Sequence, residues 1–195
     1  MEILKDLKTY VINLDRRPDR LNQLKLPVVW ERFSATDGKN LTEYPSNEQG
    51  WRGCYDSHLR LVNNLKSQNF KYYLILEDDV EVCDNFIENL QKTLNKLPND
   101  WELLFLGGWN VGEKINYING IDIANKVYCT HAFIFKSDII DRLFNKFDSR
   151  VYKIDVLLSE LLPELKAYIC NPTLAWQRPG FSDVVNKVTD NIHLK

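Results

Sequence analysis

Long apolar runs are missing from this 195-residue sequence. A continuous one, Tyr72 to Leu76, falls far short of the roughly 20 residues needed to cross a bilayer. The opening residues, Met1-Glu2-Ile3-Leu4-Lys5-Asp6, hold no basic region followed by an apolar stretch, so no secretory signal is read there. An excess of positive charge is also missing: 25 Lys and Arg stand against 27 Asp and Glu, a net charge of −2. No bulk field therefore favours nucleic acid or an anionic membrane, and a phosphate has to be recognised locally. Cysteine is sparse. Cys54, Cys83, Cys129 and Cys170 form no Cys-x-x-Cys pair, which argues against structural zinc and for reduced thiols in a cytosol-like compartment. The 8 Gly and 7 Pro are scattered, with no repeat and no linker, so residues 1–195 are expected to form one domain.

What is present is a chain 44% apolar and 12% aromatic, enough to close a core without disulfide or metal staples. Short apolar runs ending in polar residues alternate with stretches of helical spacing, the pattern of an α/β sandwich. Strands are expected at Tyr10 to Leu14, Tyr72 to Leu76, Trp101 to Leu106, Val127 to Phe135 and Ala167 to Cys170. The clearest helix starts after Gly53 and puts Cys54, His58, Leu61, Val62 and Leu65 on one face, with Asp56 and Arg60 paired on the other. Further helices are expected from Asn85 to Leu97, from Ser137, as cap, to Phe147, and from Ile154 to Leu162. Phe33 to Trp51 lacks periodicity and reads as a long surface loop.

The most informative feature is Glu77-Asp78-Asp79 directly after a continuous apolar strand. Open α/β sheets bind ligands at the carboxyl ends of their strands, and crowded carboxylates repel one another unless a divalent cation sits among them. Mg²⁺ or Mn²⁺ with a nucleoside diphosphate fits such a site, while a solvated acidic turn is the plainer reading. Arg16, Arg17 and Arg20 follow the first strand and offer forked donors for phosphate, or simply form a charged turn with Pro18 at a helix start. His58 and His131 are either core histidines or, if their segments end at the same sheet edge, ligand neighbours.

Taken together these segments resemble glycosyltransferase family 25. The resemblance rests on Tyr10 to Arg20 (YVINLDRRPDR), Phe33 to Gly38 (FSATDG), Gly53 to His58 (GCYDSH), and Leu74 to Val80 (LILEDDV). It continues through Trp101 to Gly107 (WELLFLG), Thr130-His131-Ala132, Ile154-Asp155 and Asn171 to Asp183 (NPTLAWQRPGFSD). The resemblance implies a GT-A fold, a Rossmann-like, mostly parallel sheet flanked by helices. It also implies a UDP-sugar donor carrying galactose or glucose, a divalent cation (Mn²⁺ or Mg²⁺), and inversion at the anomeric carbon. Glu77 and Asp79 take the place of the family's metal-binding acids, Asp79 foremost, although the motif here is Glu-Asp-Asp rather than Asp-x-Asp. Asn13, Asp15, Arg16, Arg17, Gly53, His58, Asp78, His131 and Gln177 are the expected donor neighbours. Family relatives act on lipopolysaccharide or on hydroxylysine in collagen, so the acceptor is a glycan or protein hydroxyl. Without a signal, a cytoplasmic enzyme of bacterial or viral origin is expected.

An inverting transfer needs a base on the face of the sugar opposite the leaving group, outside the acidic motif. Asp155, a lone acid before an apolar helix, is the candidate, against the plainer reading of an acid complementing a helix dipole. Asp183 is the alternative base, and Trp109, Trp176 and Phe181 are candidate sugar-stacking rings or core aromatics. The rival function is an inactive relative that binds nucleotide sugar or glycan without turnover. A Mg²⁺-dependent phosphotransferase is disfavoured, because its nucleophilic Asp needs a second acid two residues on, where Asp78 has Val80.

Overall fold

The computed structural model describes residues 2–190. Chain order is α1 (Glu2–Lys5), β1 (Leu7–Asn13), α2 (Pro18–Gln23), β2 (Glu31–Ser34), α3 (Ser46–Leu65), β3 (Tyr72–Glu77), β4 (Val80–Val82), α4 (Phe86–Leu94) and β5 (Leu103–Phe105). It continues through β6 (Trp109–Asn110), β7 (Ile115–Ile118), β8 (Ile121–Ile123), β9 (Val127–Tyr128), β10 (Ala132–Lys136), α5 (Ile140–Asp148) and α6 (Ile154–Leu161). β11 (Ala167–Cys170), β12 (Ala175–Gln177), β13 (Gly180–Ser182) and β14 (Lys187–Thr189) follow.

The expected α/β architecture is present. Eight strands form one sheet in the order β2-β1-β3-β10-β5-β11-β8-β7, in which β10 and β8 run against the other six. Alternation along each strand feeds two cores. Tyr10, Ile12, Tyr73, Ile75, Leu103, Phe105, Phe133 and Phe135 face α3, α5 and α6, while Val11, Leu74, Leu76, Leu104 and Ile134 face α4. Both faces being covered explains why Tyr72 to Leu76 reads as unbroken apolar sequence. No described helix is long and apolar enough to cross a membrane.

Several expectations need correction. α3 begins at Ser46, eight residues before Cys54, because Gly50 and Gly53 sit where the helix is crossed closely rather than at its start. A Cβ on Gly53 would lie 2.7 Å from the Thr36 carbonyl oxygen, and one on Gly50 2.3 Å from that of Val184. Phe33 to Trp51 is therefore only partly loop, containing the end of β2, a 3-10 turn at Gly38–Asn40 and the first turns of α3. Asp56 and Arg60 do not pair directly. The Thr36 hydroxyl lies between them, donating to Asp56 and accepting from Arg60 at 2.8 Å. Val127 to Phe135 is two strands, β9 and β10, broken at Cys129, whose φ of 70° takes it out of the extended region. Ser137 makes no capping bond and opens a 3-10 turn ahead of α5. All four cysteines are free thiols.

Candidate active site

β3 delivers Glu77 to the carboxyl edge of the sheet, where the backbone N–H of Glu77 donates to the His131 carbonyl, 2.9 Å away. The chain then turns through Asp78 and Asp79 into β4, which pairs antiparallel with β12. That pairing sets Gln177 opposite Val80 and lets the Arg178 N–H donate to the Asp79 carbonyl at 2.7 Å. Gln177 thus reaches the acidic turn from a segment a hundred residues away, its Nε2 donating to Glu77 Oε2 at 3.4 Å.

The three acids have different surroundings. Asp78 is buried and fully engaged, accepting from Asn13 Nδ2 at 2.7 Å and from Arg20 Nη1 at 2.5 Å. Burial nevertheless pushes its pKa above the ordinary carboxylate value, against the pull of Arg20 and Asn13. Glu77 accepts from Thr130 Oγ1 at 3.1 Å, and His58 Nε2 stands 3.5 Å from its Oε1. Burial acts to raise the Glu77 pKa; His58, His131 and Thr130 outweigh it and hold the group low. Asp79 is the reverse case. Its Oδ1 is buried without a hydrogen-bond partner, and Arg20 comes no nearer to Oδ2 than 3.7 Å. Burial first, and the Glu77 charge second, push its pKa up to about 7.

These groups line a cavity of about 650 Å³, together with Asn13, Arg16, Asp37, Trp51, Lys153 and Asp155. The turn after β1 supplies Arg16, which donates from Nε to Asp37 at 2.6 Å and pairs from Nη1 with Asp183 at 2.8 Å. Asp183 also takes Arg17, so both its oxygens are held by guanidinium groups. That makes it a clamp for the β13–β14 hairpin, which passes along the cavity, rather than a free base. Asp155, on the first turn of α6, is not ion-paired; its Oδ1 accepts from the Val156 N–H at 2.9 Å.

Of the residues expected from the sequence, Asn13, Arg16, His58, Glu77, Asp78, Asp79, Asp155 and Gln177 meet in this one cavity. Four do not line it. Asp15 points outward, with 74% of its side chain exposed, because Arg32 and Ser34 of β2 hold it there. Arg17 turns to Asp19 and Asp183 beside a smaller adjoining depression. Gly53 has a packing role, as described. His131 lies just before β10 rather than within a strand, wholly buried, with Nε2 3.3 Å from the Ala175 carbonyl. Burial lowers its pKa although Glu77 acts to raise it, and it stands as a buried strut behind the acids. Trp109, Trp176 and Phe181 are also off the cavity wall; Trp176 donates to Glu81 at 3.0 Å, and the aromatic ring that does reach the cavity is Trp51. Sequence reasoning missed Asp37, Trp51, Thr130 and Lys153 as lining residues, although Asp37 lies within FSATDG and Thr130 beside His131.

Comparison with known proteins gives this geometry its context. Residues 6–172 match the family profile described as Glycosyltransferase family 25 (LPS biosynthesis protein). A "Glycosyltransferase 25 family member" of Drosophila pseudoobscura pseudoobscura is 28% identical over 124 residues, covering 50% of this chain and 20% of its own length. The "Putative glycosyltransferase R655" of Acanthamoeba polyphaga mimivirus is 26% identical over 147 residues, with 66% and 45% covered. The human "Inactive glycosyltransferase 25 family member 3" is 25% identical over 161 residues, with 66% and 27% covered. The chain thus spans less than half the length of these relatives. A solved glycosyltransferase involved in glycosylation of the major capsid of PBCV-1 shares the fold, at a TM-score of 0.50 and 9% identity over 84% of this chain and 80% of that one. A strand-end acidic cavity on a mostly parallel sheet and a profile match over most of the sequence agree: the chain belongs to glycosyltransferase family 25.

Proposed function

We propose that the cavity holds a UDP-sugar and that the chain transfers its hexose, galactose or else glucose, to a glycan or protein hydroxyl with inversion, residues 1–195 acting as one catalytic domain. The observation that carries this is the buried, unpartnered Oδ1 of Asp79 beside Glu77 at the carboxyl edge of the sheet. These residues fit a hard divalent cation: Glu77 and Asp79 offer carboxylate oxygens, the Glu77 charge opposes ionisation of Asp79, and Arg20 bonds Asp78 while standing 3.7 Å from Asp79. Bound there, Mn²⁺ or Mg²⁺ supplies the charge that neutralises a pyrophosphate and its departing oxygen.

The chain's own groups do the rest. Arg16, held on the cavity wall by Asp37 and Asp183, contributes positive charge beside the donor phosphates, and Gln177 steadies Glu77. Asn13 fixes Asp78, while Arg17, Gly53 and His131 support the wall from behind. Asp155 takes the proton of the acceptor hydroxyl as its oxygen attacks the anomeric carbon and the bond to UDP breaks with its electron pair. Galactose follows the relatives named procollagen galactosyltransferases, such as the one from Xenopus laevis.

The test is thermal stabilisation and UDP release across a panel of UDP-sugars, each with Mn²⁺ and with EDTA. One UDP-hexose is expected to stabilise the chain with metal, by roughly 2.7 kcal/mol at a hundredfold excess over its Kd, and to be slowly hydrolysed. The anomeric configuration of the transferred sugar, read by NMR, is expected to be inverted. Stabilisation by no nucleotide sugar under either condition contradicts the proposal. Stabilisation without UDP release supports instead the inactive, sugar-binding reading that relatives named as inactive keep in play.

A further inference from the structure

At the inner end of the cavity the donor atoms change in character. Cys54 and His58 stand one turn apart on the buried face of α3, and the strand end brings Glu77 against them. A sulfur, an imidazole nitrogen and a carboxylate oxygen from these three residues all lie within 4.8 Å of one another. His58 Nε2 is buried and, facing Glu77 Oε1 at 3.5 Å, makes no hydrogen bond of good geometry. Its ring is fixed by stacking on Phe133, with centroids 6.2 Å apart and planes 20° apart. The Glu77 carboxylate is steadied by Thr130 on one oxygen and Gln177 on the other.

We infer that Cys54, His58 and Glu77 form a binding site for a thiophilic divalent cation of the zinc class. The donor chemistry decides the class: thiolate with imidazole selects Zn²⁺ or Co²⁺, whereas Mg²⁺ and Mn²⁺ prefer oxygen. Three ligands on a cavity wall leave a fourth position for water. The contraction required is small, because ligand atoms around tetrahedral zinc stand roughly 3.5 Å apart and His58 Nε2 and Glu77 Oε1 already do. The bonds already made by Thr130, Gln177 and Phe133 are the kind that orient metal ligands from outside the coordination sphere. On binding, the cation replaces the Cys54 thiol proton, which leaves to solvent. Glu77 is shared with the carboxylate pair assigned above to a hard cation; the thiol and the imidazole are what set this site apart.

Co²⁺ titration of the whole chain, without any sugar donor, tests the inference. A near-ultraviolet sulfur-to-cobalt charge-transfer band is expected, abolished by stoichiometric Zn²⁺, and a zinc-loaded sample should show one sulfur ligand in its X-ray absorption spectrum. Cys54→Ser is expected to lose the band, and Cys129→Ser, which removes the other thiol on the cavity wall, to keep it. His58→Gln is expected to weaken Co²⁺ binding with the fold intact by circular dichroism. A parent protein with no charge-transfer band or no sulfur ligand overturns the inference. So does a band that survives Cys54→Ser or disappears in Cys129→Ser, and the Cys129 arm decides even if Cys54→Ser fails to fold.

Discussion

Asp79 joins function and stability in one side chain. Its pKa, raised on folding to about 7 by burial and by Glu77, means that the folded chain keeps a proton which the unfolded chain has already lost. Stability therefore falls as pH climbs from the ordinary carboxylate range to about 7. Asp79→Asn removes that cost. It is expected to melt higher than the parent at about pH 8, by on the order of a few kcal/mol, with the gain vanishing near pH 4. By the same reasoning Mn²⁺ should stabilise the parent more at about pH 8 than at about pH 6, since the ligand must ionise before it binds. Arg20 gives the complementary case. It is the cation against Asp78, so Arg20→Ala leaves a buried carboxylate uncompensated and should lower unfolding stability by about 3 kcal/mol in a urea titration. At this scale the sequence was most legible where chemistry and position coincide, as at Glu77, Asp79 and Asp155. It was least legible where a partner decides direction: Asp15 sits in the same turn as Arg16, yet Arg32 and Ser34 draw it outward, and no local pattern records that.

The elements divide in the same way. β1, β3, β11 and α6 were legible because continuous apolar runs or a clear stripe define them. The first turns of α3 were not, since Gly50 and Gly53 look like breakers; they are close crossings of helix and loop, a fact of packing rather than propensity. β12 was equally hidden, for three residues carry no period, and its pairing with β4 brings Gln177 to the acids. Gly53→Ala places a Cβ 2.7 Å from both Thr36 O and Gly38 N, so it should destabilise by about 1–3 kcal/mol despite alanine's higher helix propensity. An unchanged or raised denaturation midpoint would show that the Ala35–Gly38 segment yields freely.

Across the whole molecule, the site exists because the sheet gathers its strand ends at one edge. Asn13, Glu77, Asp155 and Gln177 are far apart in sequence and share one cavity, with α3 and α6 forming walls. The Asp183 clamp on Arg16 and Arg17 ties the last described hairpin to the first turn of the sheet, closing the site by charge at a place where sequence suggested a base. Among the described acids that line the cavity, Asp155 is the one without an ion pair, and Asp155→Asn should cut transfer by roughly 10²–10⁴-fold while UDP-sugar still stabilises the chain. Loss of donor-induced stabilisation in that variant would assign Asp155 to binding instead. The central claim, that the acids after β3 form a cation-assisted donor site, is tested most directly by measuring UDP release from the preferred UDP-hexose by the parent and by Asp79→Ala. Release by the parent is expected with Mn²⁺ and none with EDTA, together with a loss of at least about 100-fold in the variant with its fold retained. Equal release by both proteins, or release by the parent undiminished in EDTA, would contradict the claim.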